Sequence, residues 1–153
     1  MTLRIAVDDL SGAPTRALLA AHLAGMQQGS PPESVHALDL AALRQPEITV
    51  WSAWRGDDLV GVGALKQLDA SRGELKSMRV DERFLGTGAG RALLRHIMTA
   101  AAERGIRSLW LETGSEPAFA PARGLYASEG FVECGPFDGY LPDPLSTFMT
   151  REL

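Results

Sequence analysis

Three glycines alternate with other residues in the stretch RFLGTGAGRALL, residues 83–94, just before apolar side chains adopt helical spacing. The first turn of a helix exposes backbone N–H groups that lack intrahelical partners, and the helix dipole adds partial positive charge there. Glycines allow a bulky anion to reach those N–H groups without a Cβ clash, and they tolerate left-handed dihedral angles. Gly86, Gly88 and Gly90 therefore predict a phosphate site built from the main chain of residues 85–91.

The spacing of these glycines excludes two common phosphate motifs. No Gly-Lys-Ser/Thr follows, as a P-loop requires, and Arg91 stands where the last glycine of a dinucleotide-binding G-x-G-x-x-G would lie. The hairpin strands that precede the loop also disagree with a dinucleotide-binding βαβ unit. A plain tight turn between strand and helix is the structural alternative to an anion site.

The apolar pattern on either side of the loop predicts strands and helices in a mixed order. The segments ITVWSAW and DLVGVGALKQL flank RGDD, a typical hairpin turn, and GELKSMRV is typical of a third consecutive strand. The helix after the loop ends at Gly105, and the unit from Met78 to Glu112 predicts a right-handed parallel crossover. We expect strand, helix, helix, three strands, helix, strand, helix, strand, strand. This order predicts an α/β fold whose mixed central sheet has about six to seven strands and flanking helices.

Length and composition predict a single domain over residues 1–153, because 45% hydrophobic and 22% charged residues are typical of a globular core. The net charge of −4 offers no basic surface for a nucleic acid. No apolar stretch approaches the roughly 18 to 20 residues that span a bilayer, which argues against a membrane partner. Cys134 is the only cysteine, so no intrachain disulfide can form and a cytoplasmic location is expected. The three scattered histidines and this cysteine predict no metal site.

The segment MRVDERFLGTGAGRALL resembles a signature of the GCN5-related N-acetyltransferases, the GNAT family, which bind acetyl-coenzyme A (acetyl-CoA) by its pyrophosphate. That signature is a strand ending in Val, then Arg/Gln-x-x-Gly-x-Gly/Ala at the start of a helix with paired leucines. The positions that match it are Val80, Gly88, Gly90, Leu93 and Leu94. Leu85 departs from it at the Arg/Gln position, and a register shifted back to Arg83 places the loop too close to Val80. The resemblance implies a GNAT-like acyl-CoA acyltransferase fold with acetyl-CoA as co-substrate.

A second family signature is Asn, two residues, Ala, three residues, Tyr, and then a glycine followed by an aromatic residue. The segment FAPARGLYASEGF is similar to it through Ala122, Tyr126, Gly130 and Phe131. Phe119 stands where the asparagine often lies, which removes one side-chain contact to the pantetheine arm. The resemblance implies that Tyr126 is the general acid that protonates the coenzyme A sulfur, while a packed tyrosine at a helix end is the structural alternative.

The family resemblance also implies which residues bind the coenzyme. Main-chain groups of the strand before the loop are expected to meet the pantetheine amides and the carbonyl oxygen of the thioester, and main-chain amides of the loop are expected to meet the pyrophosphate. The residues concerned are Met78, Arg79, Val80, Leu85, Gly86, Thr87, Gly88, Ala89, Gly90, Arg91 and Tyr126.

Glu74 is the first candidate for the general base, because some family members keep a catalytic glutamate on this strand. Strand alternation places Glu74, Lys76, Met78 and Val80 on one face. A carboxylate that merely pairs with Lys76 is the structural alternative, and Glu112 on the next strand is the second candidate base. His22 shares an apolar helical stripe and is interpreted as a packed histidine rather than a base.

Acceptor recognition is expected from irregular segments and from Glu112, since loops carry specificity on a rigid scaffold. The segment SPPESVHALD supplies Ser34, His36 and Asp39, and FDGYLPD supplies Tyr140. Solvated turn residues are the structural alternative for each of them. The expected partner is a small-molecule or peptide amine, and pairing of edge strands leaves a homodimer open.

The sequence therefore predicts an N-acetyltransferase that moves the acetyl group of acetyl-CoA directly to an amine. A covalent acetyl-cysteine route is disfavoured, because Cys134 has no obvious histidine and acidic partner in the sequence. The alternative from another class is a non-catalytic sensor or regulatory module that binds acyl-CoA without turnover.

Overall fold

A central sheet with helices on both faces forms the frame of the protein, and the computed structural model describes residues 2–29 and 39–153. The strands are β1 (Arg4–Val7), β2 (Ile48–Arg55), β3 (Asp58–Gln67), β4 (Arg72–Val80), β5 (Ser108–Gly114), β6 (Val132–Cys134) and β7 (Ser146–Glu152). The helices are α1 (Ala13–Gly29), α2 (Leu40–Leu43), α3 (Ala89–Glu103) and α4 (Ala120–Ser128). The seven strands lie in the order β1-β2-β3-β4-β5-β7-β6. The predicted mixed sheet with flanking helices is confirmed.

The strand pairings follow from the turns and crossovers that the sequence indicates. β2 and β3 pair antiparallel, and Arg55 faces Asp58 across a turn in which Gly56 has a φ of 58°. β4 is antiparallel to β3 but parallel to β5, and α3 connects these two parallel strands. β7 is antiparallel to both β5 and β6. The predicted parallel crossover through the helix after the glycine loop is therefore confirmed.

The two faces of the sheet carry separate hydrophobic clusters. The cluster that includes α3 contains the fully buried Leu93 and Leu94, whereas the cluster that includes α1 contains Leu18 and Leu19. Burying a leucine side chain contributes about 1.5–3 kcal/mol, so these contacts fix the helices on the sheet. None of the described helices combines the length and apolar character needed to span a membrane.

β4 and β5 separate partway along their length. Their parallel pairing covers only Arg72–Glu74 opposite Ser108–Trp110, although β4 runs on to Val80 and β5 to Gly114. The second half of β4 therefore presents backbone N–H and C=O groups toward a gap in the sheet. Such an open edge can pair with an extended ligand that carries amide groups.

A β-bulge at Ser77 accompanies this separation. The pairing with β3 moves from Ala64 opposite Lys76 to Val62 opposite Arg79, so Ser77 and Met78 share one partner. Ser77 takes a φ of 54°, an uncommon left-handed value for a residue that is not glycine.

Because of the extra residue, the side chains after Ser77 point to the opposite faces of the sheet from those that regular alternation would give. Met78 and Val80 pack with the cluster under α3, whereas Glu74 and Arg79 line a cavity on the α1 face. The prediction that Glu74, Lys76, Met78 and Val80 share one face is therefore wrong. The physical reason is the bulge, which adds one residue to the two-residue period of a strand.

Candidate active site

The loop that precedes α3 has the geometry of an anion site. Gly86 and Gly88 adopt φ values of 74° and 86°, and Gly88 is the N-cap of α3. A Cβ added at either position would point into open space. Within the described residues, the backbone N–H groups from Gly86 to Arg91 donate to no acceptor. This run of unpaired amides at a helix N-terminus suits a phosphate group.

Gly90 serves a different purpose from the two glycines before it. A Cβ at Gly90 would lie 3.3 Å from Cγ2 of Val80 and 3.6 Å from Cδ2 of Leu125. The missing side chain therefore allows α3 to approach both β4 and α4 closely.

Side chains in and after the loop are engaged with the protein itself. Arg91 forms a salt bridge with Glu129 and donates to the Ser128 hydroxyl at 3.0 Å. The hydroxyl of Thr87 donates to the carbonyl oxygen of Phe84 at 2.5 Å. These residues can therefore offer a ligand mainly their backbone amides.

A groove of about 630 Å³ runs from this loop along the open edge of β4. Nearly all of the predicted coenzyme-binding residues line it: Met78, Arg79, Val80, Leu85, Gly86, Gly88, Ala89, Gly90, Arg91 and Tyr126. Thr87 is not among the lining residues. The structure thus brings together the strand and the loop that the sequence singled out.

A second cavity, of about 230 Å³, adjoins the groove on the α1 face, and we call it the acceptor cavity. The two spaces share Met78, Arg79, Ala118, Ala122 and Tyr126. Tyr126 therefore lies where the groove meets the acceptor cavity.

Tyr126 is held rigidly and remains protonated. Its side chain is 7% exposed, and its ring packs on Phe131 with 5.8 Å between the ring centroids. Burial, reinforced by the nearby Glu112, raises the pKa of the Tyr126 phenol far above neutrality. The protonated hydroxyl at this junction can donate a hydrogen bond to a group bound there.

Phe119 closes another part of the acceptor cavity. Its ring lies over Gly114 at the end of β5, in the space that a Cβ on this glycine would occupy. The position that often holds an asparagine in the resembling family thus presents an apolar wall here.

Glu74 is enclosed by two hydrogen-bond donors. Lys76 Nζ lies 3.0 Å from Oε2 of Glu74, and the Tyr140 hydroxyl donates to the same oxygen at 2.6 Å. Lys76 also donates to the Tyr140 hydroxyl at 3.0 Å, which closes a triangle. Because Glu74 is only 2% exposed, its charge is balanced within the protein by Lys76.

Glu112 lies in the same cavity but has fewer hydrogen-bond donors around its carboxylate than Glu74 among the described residues. Ser146 Oγ donates to its Oε2 at 3.0 Å. Burial raises the pKa of Glu112 to about 7, although the Ser146 hydrogen bond and the charge of Lys76 oppose this change. A carboxylate that titrates near neutrality can accept a proton at physiological pH.

The remaining predicted acceptor residues have different fates. Tyr140 lines the acceptor cavity beside Glu112. Asp39 is exposed and caps α2, since its Oδ1 accepts from the Ala42 amide at 2.9 Å, and it lines neither space. Ser34 and His36 lie outside the described residues.

The pairing of Glu74 with Lys76, which the sequence offers as the alternative to a catalytic base, is present in the structure. Ser77 and Ser146 are site residues that the sequence did not predict. Ser146 orients Glu112 from β7, and no local pattern marks this long-range contact.

A split sheet, a bare helix N-terminus and a buried tyrosine between two cavities define the class of acyl-CoA N-acyltransferases. The chain matches the model of the Acetyltransferase (GNAT) family over residues 16–131. It belongs to this family and is an acetyl-CoA-dependent N-acyltransferase.

Similar proteins agree with this assignment. The chain is 52% identical to the uncharacterized N-acetyltransferase YsnE of Bacillus subtilis (strain 168), over 99% of this chain and 100% of that protein. It is 47% identical to the uncharacterized N-acetyltransferase YedL of Escherichia coli (strain K12), over 97% of this chain and 94% of that protein. A crystal structure of a putative acyl-CoA N-acyltransferase from Klebsiella pneumoniae superposes with a TM-score of 0.83 at 29% identity, covering 99% and 98% of the chains.

Proposed function

We propose that this protein transfers the acetyl group of acetyl-CoA directly to the amine of a small-molecule or peptide acceptor. The observation that carries this proposal is the position of Tyr126 between the coenzyme groove and a cavity that contains Glu112. A proton donor and a proton acceptor thus flank one space, as acyl transfer to an amine requires. Residues 1–153 act as a single N-acetyltransferase domain in the cytoplasm.

The coenzyme would be held mainly by the main chain. The unpaired amides from Gly86 to Arg91 bind the pyrophosphate, and the open edge of β4 from Met78 to Val80 pairs with the pantetheine amides. Bound acetyl-CoA supplies a thioester whose carbon–sulfur bond breaks as the bond to the acceptor nitrogen forms. Holding the two reactants in contact can supply about 7–11 kcal/mol of the barrier reduction.

Glu112 is the base that the geometry supports best. Its carboxylate titrates near neutrality and lines the acceptor cavity, so it can take the proton that the amine loses. Glu74, the first candidate from the sequence, already accepts hydrogen bonds from Lys76 and Tyr140. We therefore assign Glu74 to fixing Lys76 and Tyr140, with the role of base as its alternative.

Tyr126 is the proposed general acid. Its phenol donates a proton toward the sulfur that leaves, and among the described residues no protein group accepts a hydrogen bond from it. Cys134 lines neither space, and burial raises the pKa of its thiol, which supports direct transfer over a covalent acetyl-cysteine route.

A thiol-release assay with a mixed panel of amines tests the proposal. Wild-type protein is expected to release coenzyme A, and Tyr126→Phe is expected to lower kcat by about 10²- to 10⁴-fold while calorimetry shows unchanged coenzyme binding. Coenzyme binding without turnover of any amine by the folded wild-type protein would contradict the proposal and favour the sensor alternative.

A further inference from the structure

The acceptor cavity contains a guanidinium that forms no salt bridge with any residue in the described part of the chain. Arg79 lines the cavity, and the bulge at Ser77 directs its side chain to the α1 face, where a Cβ on Gly25 would lie 3.6 Å from Nη1. Within residues 2–29 and 39–153 it forms no salt bridge. Asp81, two residues away, pairs with Arg83 instead, at 3.1 Å. A guanidinium without an acidic partner in a concave site suits an anionic ligand group.

Two buried polar atoms in the same cavity also lack partners. His22 Nδ1 and Ser77 Oγ are inaccessible to solvent and make no hydrogen bond in the described part of the chain. Both residues line the acceptor cavity beside Arg79. Buried polar groups in native proteins are nearly always satisfied, so two orphans at one site indicate a ligand with hydrogen-bonding capacity.

His22 is a neutral partner rather than a second cation. Burial, together with the positive charge of Arg79, lowers the pKa of His22 to about 4. A neutral imidazole can contribute one N–H donor without adding charge. The net charge at this end of the cavity is therefore that of one guanidinium, which a monoanion balances.

Lys76, the other cation that lines the cavity, already has a negatively charged partner within the protein. Lys76 is bonded to Glu74 and Tyr140, so its charge is neutralised inside the protein. Glu112, in contrast, remains able to accept a proton. The cavity thus presents a proton acceptor and, separately, a guanidinium that no described residue pairs in a salt bridge.

We infer that the acceptor is a small primary amine that carries a carboxylate, as in an amino acid. Arg79 binds the carboxylate, His22 and Ser77 donate hydrogen bonds to it, and the amine faces Glu112. The volume of about 230 Å³ suits a small molecule. This inference rests on the proposed acetyl transfer to amines and names the substrate class of that site.

The test compares amino acids with their carboxamides as acceptors, because the amide keeps the size of the molecule and removes only the charge. Rates are expressed per concentration of unprotonated amine, since the two forms differ in amine pKa. For wild-type protein, kcat/KM is expected to be at least tenfold higher for the acids, mainly through KM. Arg79→Gln is expected to bring this ratio close to one, and Arg79→Lys to restore part of it.

Two controls make the result specific. Arg107→Gln removes an exposed arginine that lines neither space, and it is expected to keep the wild-type ratio. Calorimetric binding of coenzyme A to Arg79→Gln separates an acceptor effect from an effect on the groove. If Arg79→Gln does not fold, Ser77→Ala is expected to lower the preference for acids several-fold.

The possible outcomes distinguish the inference of a carboxylate-bearing acceptor from the proposed acetyl transfer to an amine. Equal kcat/KM for acids and amides, or an unchanged ratio in folded Arg79→Gln, would overturn the carboxylate assignment while leaving acetyl transfer intact. Turnover of no amine at all by a folded, coenzyme-binding protein would overturn both.

Discussion

The Tyr140 hydroxyl donates a hydrogen bond of 2.6 Å to Oε2 of Glu74, the oxygen that also accepts from Lys76. Glu112, on the neighbouring strand of the same cavity, accepts instead from Ser146, and burial raises its pKa to about 7. The two glutamates are therefore expected to respond differently to the same substitution.

The first prediction concerns the pH dependence of turnover. For wild-type protein, kcat/KM should rise as pH increases through about 7, because Glu112 must be ionised to accept the amine proton. Glu112→Gln should lower kcat by about 10²- to 10⁴-fold and remove this limb of the profile. The measurement is a pH–rate profile at acceptor concentrations corrected for amine ionisation.

Glu74→Gln is the matched variant for this prediction. The negative charge of Glu74 helps to raise the pKa of Glu112, whereas the charge of Lys76 lowers it. Removing the Glu74 charge and freeing Lys76 should therefore move the limb to lower pH. Loss of the limb in Glu74→Gln, with its retention in Glu112→Gln, would show that Glu74 is the base.

The second prediction concerns folding stability. The pKa of Glu112 is raised from 4.5 in the unfolded chain to about 7 in the folded protein, so ionisation favours unfolding. Its contribution is fully present below about pH 4.5 and is lost as pH rises through 7. Relative to wild type, Glu112→Gln should gain on the order of 1 to 3 kcal/mol in unfolding free energy between pH 4.5 and pH 8.

Urea unfolding at these two pH values measures this difference. Gln is the suitable substitution because its side chain can still accept the hydrogen bond from Ser146. A difference between wild type and variant that does not change with pH would contradict the raised pKa of Glu112.

The third prediction separates anion binding from backbone strain. Gly88 and Gly105 have nearly the same φ, 86° and 83°, and a Cβ at either would meet open space. Glutamate at either position should therefore impose a similar strain, on the order of 1 kcal/mol. Only Gly88→Glu places a negative charge at the N-terminus of α3, and it should weaken coenzyme A binding by more than about 100-fold.

Isothermal titration calorimetry with coenzyme A compares the two variants directly. Unchanged affinity in folded Gly88→Glu would reject this loop as the pyrophosphate site. An equal loss in Gly105→Glu would instead attribute the effect to strain.

Local sequence signals were enough to predict the frame of the protein. The RGDD turn fixed the β2–β3 hairpin, and the glycines before Leu93 and Leu94 predicted both the start of α3 and its exposed amides. Each of these features depends on neighbours in the chain, so a pattern a few residues long contains the needed information.

Long-range geometry limited the rest of the prediction. No glycine in β4 marks the bulge at Ser77. The bulge arises because two residues of β4, Ser77 and Met78, pair with the single residue Gly63 of β3. The side chain of Arg79, a residue predicted to bind the coenzyme through its backbone, consequently lines the acceptor cavity against the expected alternation. Asp39 was interpreted wrongly because of a local pattern. An aspartate before a short helix is a typical helix cap, but in the sequence it also resembles a ligand-binding loop residue.

The bulge also has a consequence for how such a protein can diversify. Under the proposed function, β4 would contact the coenzyme through its backbone and the acceptor through side chains such as Arg79, so the two contacts depend on different parts of the same strand. Substitutions of the side chains on the α1 face can then change the acceptor amine while the backbone contacts to acetyl-CoA are kept.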